Sequence, residues 1–284
     1  MVSNSFPQSA PVLVLGATGK TGSRVAQRLQ ALGQSIRLGS RTHSSPFDWY
    51  TPSTWPAVCQ GMRAVYLTFQ PDLASPQAPA IIESFVRVAQ QNGIRQMVLL
   101  SGRGEPQAQA CEQAIMNSGL NWTILRASWF NQNFSEGYLL EAVLSGLVAL
   151  PAGNIPEPFI DADDIADVAV VSLTQEGHAH QVYELTGPHL LTFDEAINTI
   201  AQATGRRIEF KSVPIEAYHA TLLEHDVPEP YIELLLHLFV QTLDGRNAQL
   251  ADGVQRVLGR QPIDFSTYVR KTAAIGSWNQ VRNR

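Results

Sequence analysis

The stretch that most constrains this chain is residues 11–33, PVLVLGATGKTGSRVAQRLQALG. An apolar run ends in a turn with glycines at Gly16, Gly19 and Gly22. The turn opens into a segment whose Val25, Leu29 and Leu32 recur at helical spacing. Gly33 follows, and glycine readily takes the left-handed geometry that ends a helix. Strand, loop and helix then repeat. SIRLGSR is a second strand, and a short third strand is expected to end near Asp48. AVYLTF precedes a helix opened by Ser75 and Pro76 that carries Ile81, Ile82, Phe85, Val86 and Ala89 and closes at Gly93. QMVLLSG precedes QAQACEQAIMNSG, and NWTILR follows. Parallel strands need long crossovers, usually helical, so this rhythm predicts an α/β fold: a doubly wound parallel sheet with helices on both faces.

Beyond about residue 126 the rhythm loosens. FNQNFSEGYLLEAVLSG and DDIADVAVVSL read as helices, QVYELTG and RIEFKSV as strands, and residues 214–258 as mostly helical. TFDEAINTIAQATG carries a reciprocal capping signature, Thr192 with Glu195, and terminates at Gly205. Residues 1–150 are therefore expected to form the sheet core. Residues 151–284 are expected to form mainly a smaller, mostly helical lobe, with some segments returning to the core.

The letters GKT at Gly19, Lys20 and Thr21 invite a triphosphate-binding loop. That loop needs a glycine five residues before Gly19, where Val14 lies inside the strand, so the spacing excludes it. A dinucleotide loop fits the context: Gly16 ends a strand, Ala17 and Thr18 keep the turn around Gly19 compact, and Lys20, Thr21 and Gly22 enter a helix whose first amides face an anion. The spacing is G-x-x-G-x-x-G and not the usual G-x-G-x-x-G. An NAD site places a carboxylate about 20 residues on, at the end of the second strand. Here that strand ends in LGSRTHSS, and the planar guanidinium of Arg41, with Ser40 beside it, suits a 2′-phosphate; the expected cofactor is NADP(H). Phe47 and Asp48 are candidates for the adenine side. Thr68, Phe69, Ser101 and Gly102, at the ends of later strands, are candidates for the nicotinamide side.

Other chemistries are disfavoured. A formal charge of -5 with scattered arginines gives no basic stripe for nucleic acid. Cys59 and Cys111 lie far apart and read as buried thiols. His178 and His180 lack a third ligand, and Asp161, Asp163 and Asp164 read as charges at a helix start, so no metal is expected. MVSNSFPQSAP has neither the positive charge nor the apolar run of a leader, and the longest apolar stretch is broken by Glu141 and glycines. A cytoplasmic location without a membrane segment is expected; monomer and homo-oligomer both stay open.

GATGKTG, GSR, LLSG, NWTILRASWFNQNF, PFIDADDIADVA and YELTGPHLLTFDEAINTIAQATGR together resemble an NmrA-like member of the atypical short-chain dehydrogenases/reductases, over about residues 12–272. FDWYTPSTWPAVCQGMRAVYL looks most like the branch of ergot-alkaloid iminium reductases and bacterial NADPH-dependent azo or quinone reductases. The resemblance implies a Rossmann-like NADP(H)-binding core and a C-terminal substrate lobe. It also implies Gly16, Gly19 and Gly22 on the pyrophosphate, Arg41 on the phosphate, and residues 129–134 as a wall beside nicotinamide and substrate. In that segment Trp129, Phe130 and Phe134 offer aromatic packing and Asn131 and Asn133 offer amides to a planar ligand. One departure matters. Typical members use Tyr-x-x-x-Lys to move a proton, and no tyrosine here has a lysine four places later. Tyr218, His219 and His225 are the remaining candidates for a proton donor. An acceptor that takes hydride readily, such as a quinone, azo compound or iminium, lessens the need for that pair. The alternative is a non-catalytic NADP(H)-sensing module that acts through a partner.

Overall fold

The computed structural model describes residues 11–43 and 45–279; the N-terminal segment read for a leader lies outside them. The chain divides into two compact units, residues 1–126 with 165–183, and residues 127–164 with 184–284. The first unit runs to Arg126, where the strand–helix repeat stops, and takes in residues 165–183 from later in the chain.

In the first unit β1 (Val12–Leu15) is fully buried and leads through the glycine turn to α1 (Lys20–Ala31) and β2 (Ile36–Gly39). A short α2 (Trp55–Cys59) precedes β3 (Ala64–Leu67), followed by α3 (Ala78–Gln91), β4 (Gln96–Gly102), α4 (Pro106–Met116) and β5 (Asn121–Ala127). β1 pairs in parallel with β2 and β3, and β3 with β4. The six-stranded order is β2-β1-β3-β4-β5-β7, where β7 is Gln181–Leu185.

Strand side chains alternate between faces. Leu13, Leu15, Val65, Leu67, Met97 and Leu99 therefore join Val58, Phe85, Cys111 and Ile115 of α2, α3 and α4 in one core. On the opposite face Arg28 of α1 meets Asp167 at 2.6 Å, and Gln96 donates to the Ser172 carbonyl at 2.7 Å. Asp167 and Ser172 belong to a later helix, α7 (Ala162–Thr174). Helices thus cover both faces, as a doubly wound sheet requires.

Among the described residues the third strand expected near Asp48 does not form. Residues 45–54 instead turn back: Phe47 N–H donates to the Ser40 carbonyl at 3.0 Å, and the Asp48 carboxylate accepts Tyr50 N–H at 2.9 Å. The indoles of Trp49 and Trp55 tie this turn down, donating to the Thr68 and Asp48 carbonyls at 3.1 and 2.8 Å.

The second unit holds α5 (Asn133–Glu136), α6 (Leu140–Ser145), β6 (Leu147–Leu150), α8 (Phe193–Thr204), β8 (Glu209–Ser212), α9 (Ile215–Glu224), α10 (Glu229–His237), α11 (Gly253–Leu258) and α12 (Phe265–Ala274). The single helix expected over FNQNFSEGYLLEAVLSG is interrupted at Gly137, whose backbone is extended (φ -138°, ψ -167°). The LVAL that follows it forms β6, paired in parallel with β8. Phe134, Phe159, Phe193, Phe239, Phe265, Tyr268 and Trp278 make the core largely aromatic. The capping box of Thr192 and Glu195 is formed, and Gly205 ends α8 in the left-handed region.

Candidate functional site

Each glycine of the turn after β1 has its own physical reason. Gly16 has φ +64°, and a Cβ there would sit 2.1 Å from Thr68 Oγ1. Gly19 donates its N–H to the Gly16 carbonyl at 2.9 Å and stands at the N-cap of α1. A Cβ on Gly22 would lie 2.1 Å from the Gly16 carbonyl oxygen, so only glycine lets α1 start this close to the turn. The cap makes no side-chain hydrogen bond, and the first turn carries no acidic residue. Amides of a first helical turn have no acceptor within their own helix, and the helix dipole favours an anion beside them. The cradle, the bare helix start and the missing acid all fit a pyrophosphate. Around it Thr18 is exposed, Lys20 half-buried and Thr21 buried.

The end of β2 adds charge. Arg41 is exposed and pairs with no other described residue. Ser40 Oγ lies 3.3 Å from Thr42 Oγ1. Arg37, on the strand itself, is committed elsewhere: its guanidinium caps α2 through the carbonyls of Ala57, Val58 and Gln60 at 3.2, 2.9 and 2.8 Å. The first acid after β2, Asp48, is engaged in its turn. Phe47 is buried, its ring 4.8 Å from Trp49 and 5.8 Å from Phe85. At the next strand end Thr68 Oγ1 donates to the Leu15 carbonyl at 3.3 Å, which places it directly behind Gly16. Phe69 packs 5.0 Å from Trp49.

Ser101 and Gly102 close β4, and here the structure shows a group that sequence reading missed. Ser101 Oγ donates to Glu112 Oε1 at 2.6 Å, and Arg126, at the end of β5, grips the same carboxylate through Nε (3.0 Å) and Nη2 (2.6 Å). Glu112 is 1% exposed. The signal was a lone acid on the buried stripe of α4, among Ala108, Cys111 and Ile115.

The second unit sorts the remaining candidates. Trp129, Phe130 and Asn133 are half-buried, whereas Asn131 and Phe134 are enclosed. The indole of Trp129 is braced by Phe193 edge-on at 5.4 Å and by Phe239 at 5.1 Å. Phe239 belongs to the π-helical turn Leu238–Thr242. Asn131 and Gln132 instead hold Asp161, Gln132 at 2.8 Å, and Asp161 caps α7 by accepting Asp163 N–H at 2.9 Å. Burial raises the Asp161 carboxyl above its ordinary range, opposed by those hydrogen bonds. Asp164 is bound by Arg260 at 2.6 Å and by Ile263 N–H at 2.6 Å. Tyr218 packs 5.4 Å from Phe239, and burial pushes its phenol up to about 12. The ring Nδ1 of His225 lies 2.8 Å from the Thr221 carbonyl at the end of α9, and His219 is half-buried on the same helix.

The model of the NmrA-like family matches residues 108–268, more than half of the chain. The chain belongs to the NmrA-like family. An NAD(P)H-binding model also matches, over residues 16–176. As a family member the chain resembles the uncharacterized oxidoreductase YesF of Bacillus subtilis, 30% identical over 93% of this chain and 96% of the relative. It is 26% identical to the NAD(P)H azoreductase of Xenophilus azovorans, covering 93% and 98% of the two chains. Among solved structures, the Citrobacter sp. triphenylmethane reductase complexed with NADP(H) superposes with a TM-score of 0.75 at 22% identity, over 93% of this chain and 99% of that one. The NmrA-like fold here is that of an NAD(P)H-binding oxidoreductase, with relatives in several branches. In α4 this NmrA-like chain has neither tyrosine nor lysine.

Proposed function

We propose that the protein is an NADPH-dependent reductase that delivers hydride to a conjugated or electron-poor acceptor, such as a quinone, azo compound or iminium. The observation that carries the reading is the end of β2: an exposed, unengaged Arg41 with no carboxylate competing for the ribose, in the same unit as the glycine cradle. When bound, the reduced nicotinamide supplies a hydride from C4. The chain's contribution is to bind and orient. The Arg41 fork meets the 2′-phosphate, and the Gly16–Gly22 turn and the first amides of α1 hold the pyrophosphate. Acceptors of this kind suit a site without a tyrosine–lysine pair, because an iminium becomes a neutral amine on hydride addition and a reduced quinone or azo group takes protons from solvent. The azo chemistry named for a relative 26% identical supports the same class.

Stopped-flow absorbance at the NADPH band against a panel of quinones, azo dyes and iminium compounds tests the reading. Oxidation of NADPH by at least one class is expected, with Arg41→Ala raising the KM for NADPH. Tight NADPH binding with no oxidation by any of them would transfer the assignment to the second reading, a cofactor-sensing module, which the tyrosine- and lysine-free α4 favours.

A further inference from the structure

Glu112 is nearly enclosed, yet its carboxylate serves two neighbouring strands at once: the hydroxyl of Ser101 on β4 and the guanidinium of Arg126 on β5. Both attachments lie at the carboxyl ends of those strands, the edge along which open α/β sheets bind their ligands. Stability alone is a poor reason for such a group, since replacing a buried ion pair by apolar side chains of similar volume is often neutral or favourable. Its geometry has a specific consequence. An ionised carboxylate only accepts, so the single Ser101 proton is committed to Glu112 and the hydroxyl cannot rotate to donate elsewhere. Arg126 in turn fixes the carboxylate through a two-pronged grip, which resists rotation better than one bond.

We propose that Glu112 is a positioning residue for hydride transfer: by clamping Ser101 and Arg126 it sets the strand ends of β4 and β5 against which the nicotinamide ring is held. This rests on the reductase reading above. The ring, and not the phosphate end of the cofactor, is what the clamp should govern, because the phosphate contacts lie at β1 and β2.

The test uses the full chain, NADPH, and three variants: Ser101→Ala, Glu112→Gln and the apolar pair Glu112→Leu with Arg126→Met. The enhancement and blue shift of bound NADPH emission report how firmly the nicotinamide is held, independently of turnover. In Ser101→Ala and the apolar pair the enhancement should fall by at least half, and kcat for the best acceptor at least tenfold. Thermal midpoints and the Kd for NADPH should change little, the latter under threefold. Glu112→Gln, which still accepts from Ser101, should recover part of both signals. Wild-type emission and kcat in the folded apolar pair, or in Ser101→Ala if the pair does not fold, would overturn the proposal and leave the reductase reading standing. Failure of the wild-type protein to bind NADPH would overturn both. If wild type binds NADPH without turnover, the emission of Ser101→Ala alone decides the positioning role.

Discussion

Replacing Gly22 by alanine is the sharpest perturbation of the proposed cofactor cradle. The added methyl would meet the Gly16 carbonyl oxygen at 2.1 Å, the Gly16 carbonyl carbon at 2.7 Å and the Ala17 nitrogen at 3.1 Å, all backbone atoms that cannot swing aside. Ordinary contact begins at 3.4 Å, so α1 must retreat from the turn by about 1.3 Å. Such overpacking costs about 1–3 kcal/mol, offset by about 1 kcal/mol of helix propensity gained on leaving glycine. The larger effect should fall on the ligand. Hydrogen bonds to a charged group contribute about 1.5–3 kcal/mol each, so withdrawing one α1 amide from a pyrophosphate predicts a Kd for NADPH about 10- to 100-fold weaker. Isothermal titration calorimetry would measure it. Gly33→Ala is the control: its φ of +71° makes alanine strained, but nothing lies within 4 Å, so stability should fall without loss of affinity. Wild-type NADPH affinity in a folded Gly22→Ala protein would refute the assignment of this turn to the pyrophosphate.

Three further outcomes follow from particular contacts. Burial pushes the thiols of Cys59 and Cys111 up to about 12, while unfolded thiols ionise near 9; the native state then holds the extra protons, and its stability is complete below that unfolded value. Above it stability should fall by about 1.4 kcal/mol per pH unit for each thiol until about pH 12, so the drop in urea midpoint between pH 8 and 10 should shrink once both cysteines are replaced by alanine. Arg37→Ala should lower stability by about 1–3 kcal/mol through loss of the α2 cap, with the NADPH-to-NADH preference unchanged in a fluorescence titration. Thr192→Ala should cost about 1 kcal/mol by opening the capping box of α8, read from urea unfolding.

What the sequence made readable was local. The β1 run, the helical stripe behind it and the three glycines act within about twenty residues, and the structure finds a distinct steric reason for each glycine. Thr192 with Glu195, and Asp161 at the start of α7, are likewise interactions across a few positions. What escaped depended on distant partners. Residues near Asp48 had strand-like composition, but two indoles reach across to backbone carbonyls and fold the segment into a turn. The LVAL of β6 lies just past that helical stretch and was not read as a strand, because its partner β8 comes more than fifty residues later. The Glu112 clamp was hidden because its partners sit on two other strands. Among the candidate wall residues, spacing could not separate Asn131, committed to Asp161, from the half-exposed Asn133.

The measurement that bears most directly on the account is the ratio of Kd values for NADH and NADPH in the wild-type protein and in Arg41→Ala. A preference for NADPH that collapses in the variant, with NADH affinity retained, is the predicted result. Equal affinity for the two cofactors in wild type, unchanged on removing Arg41, would contradict it.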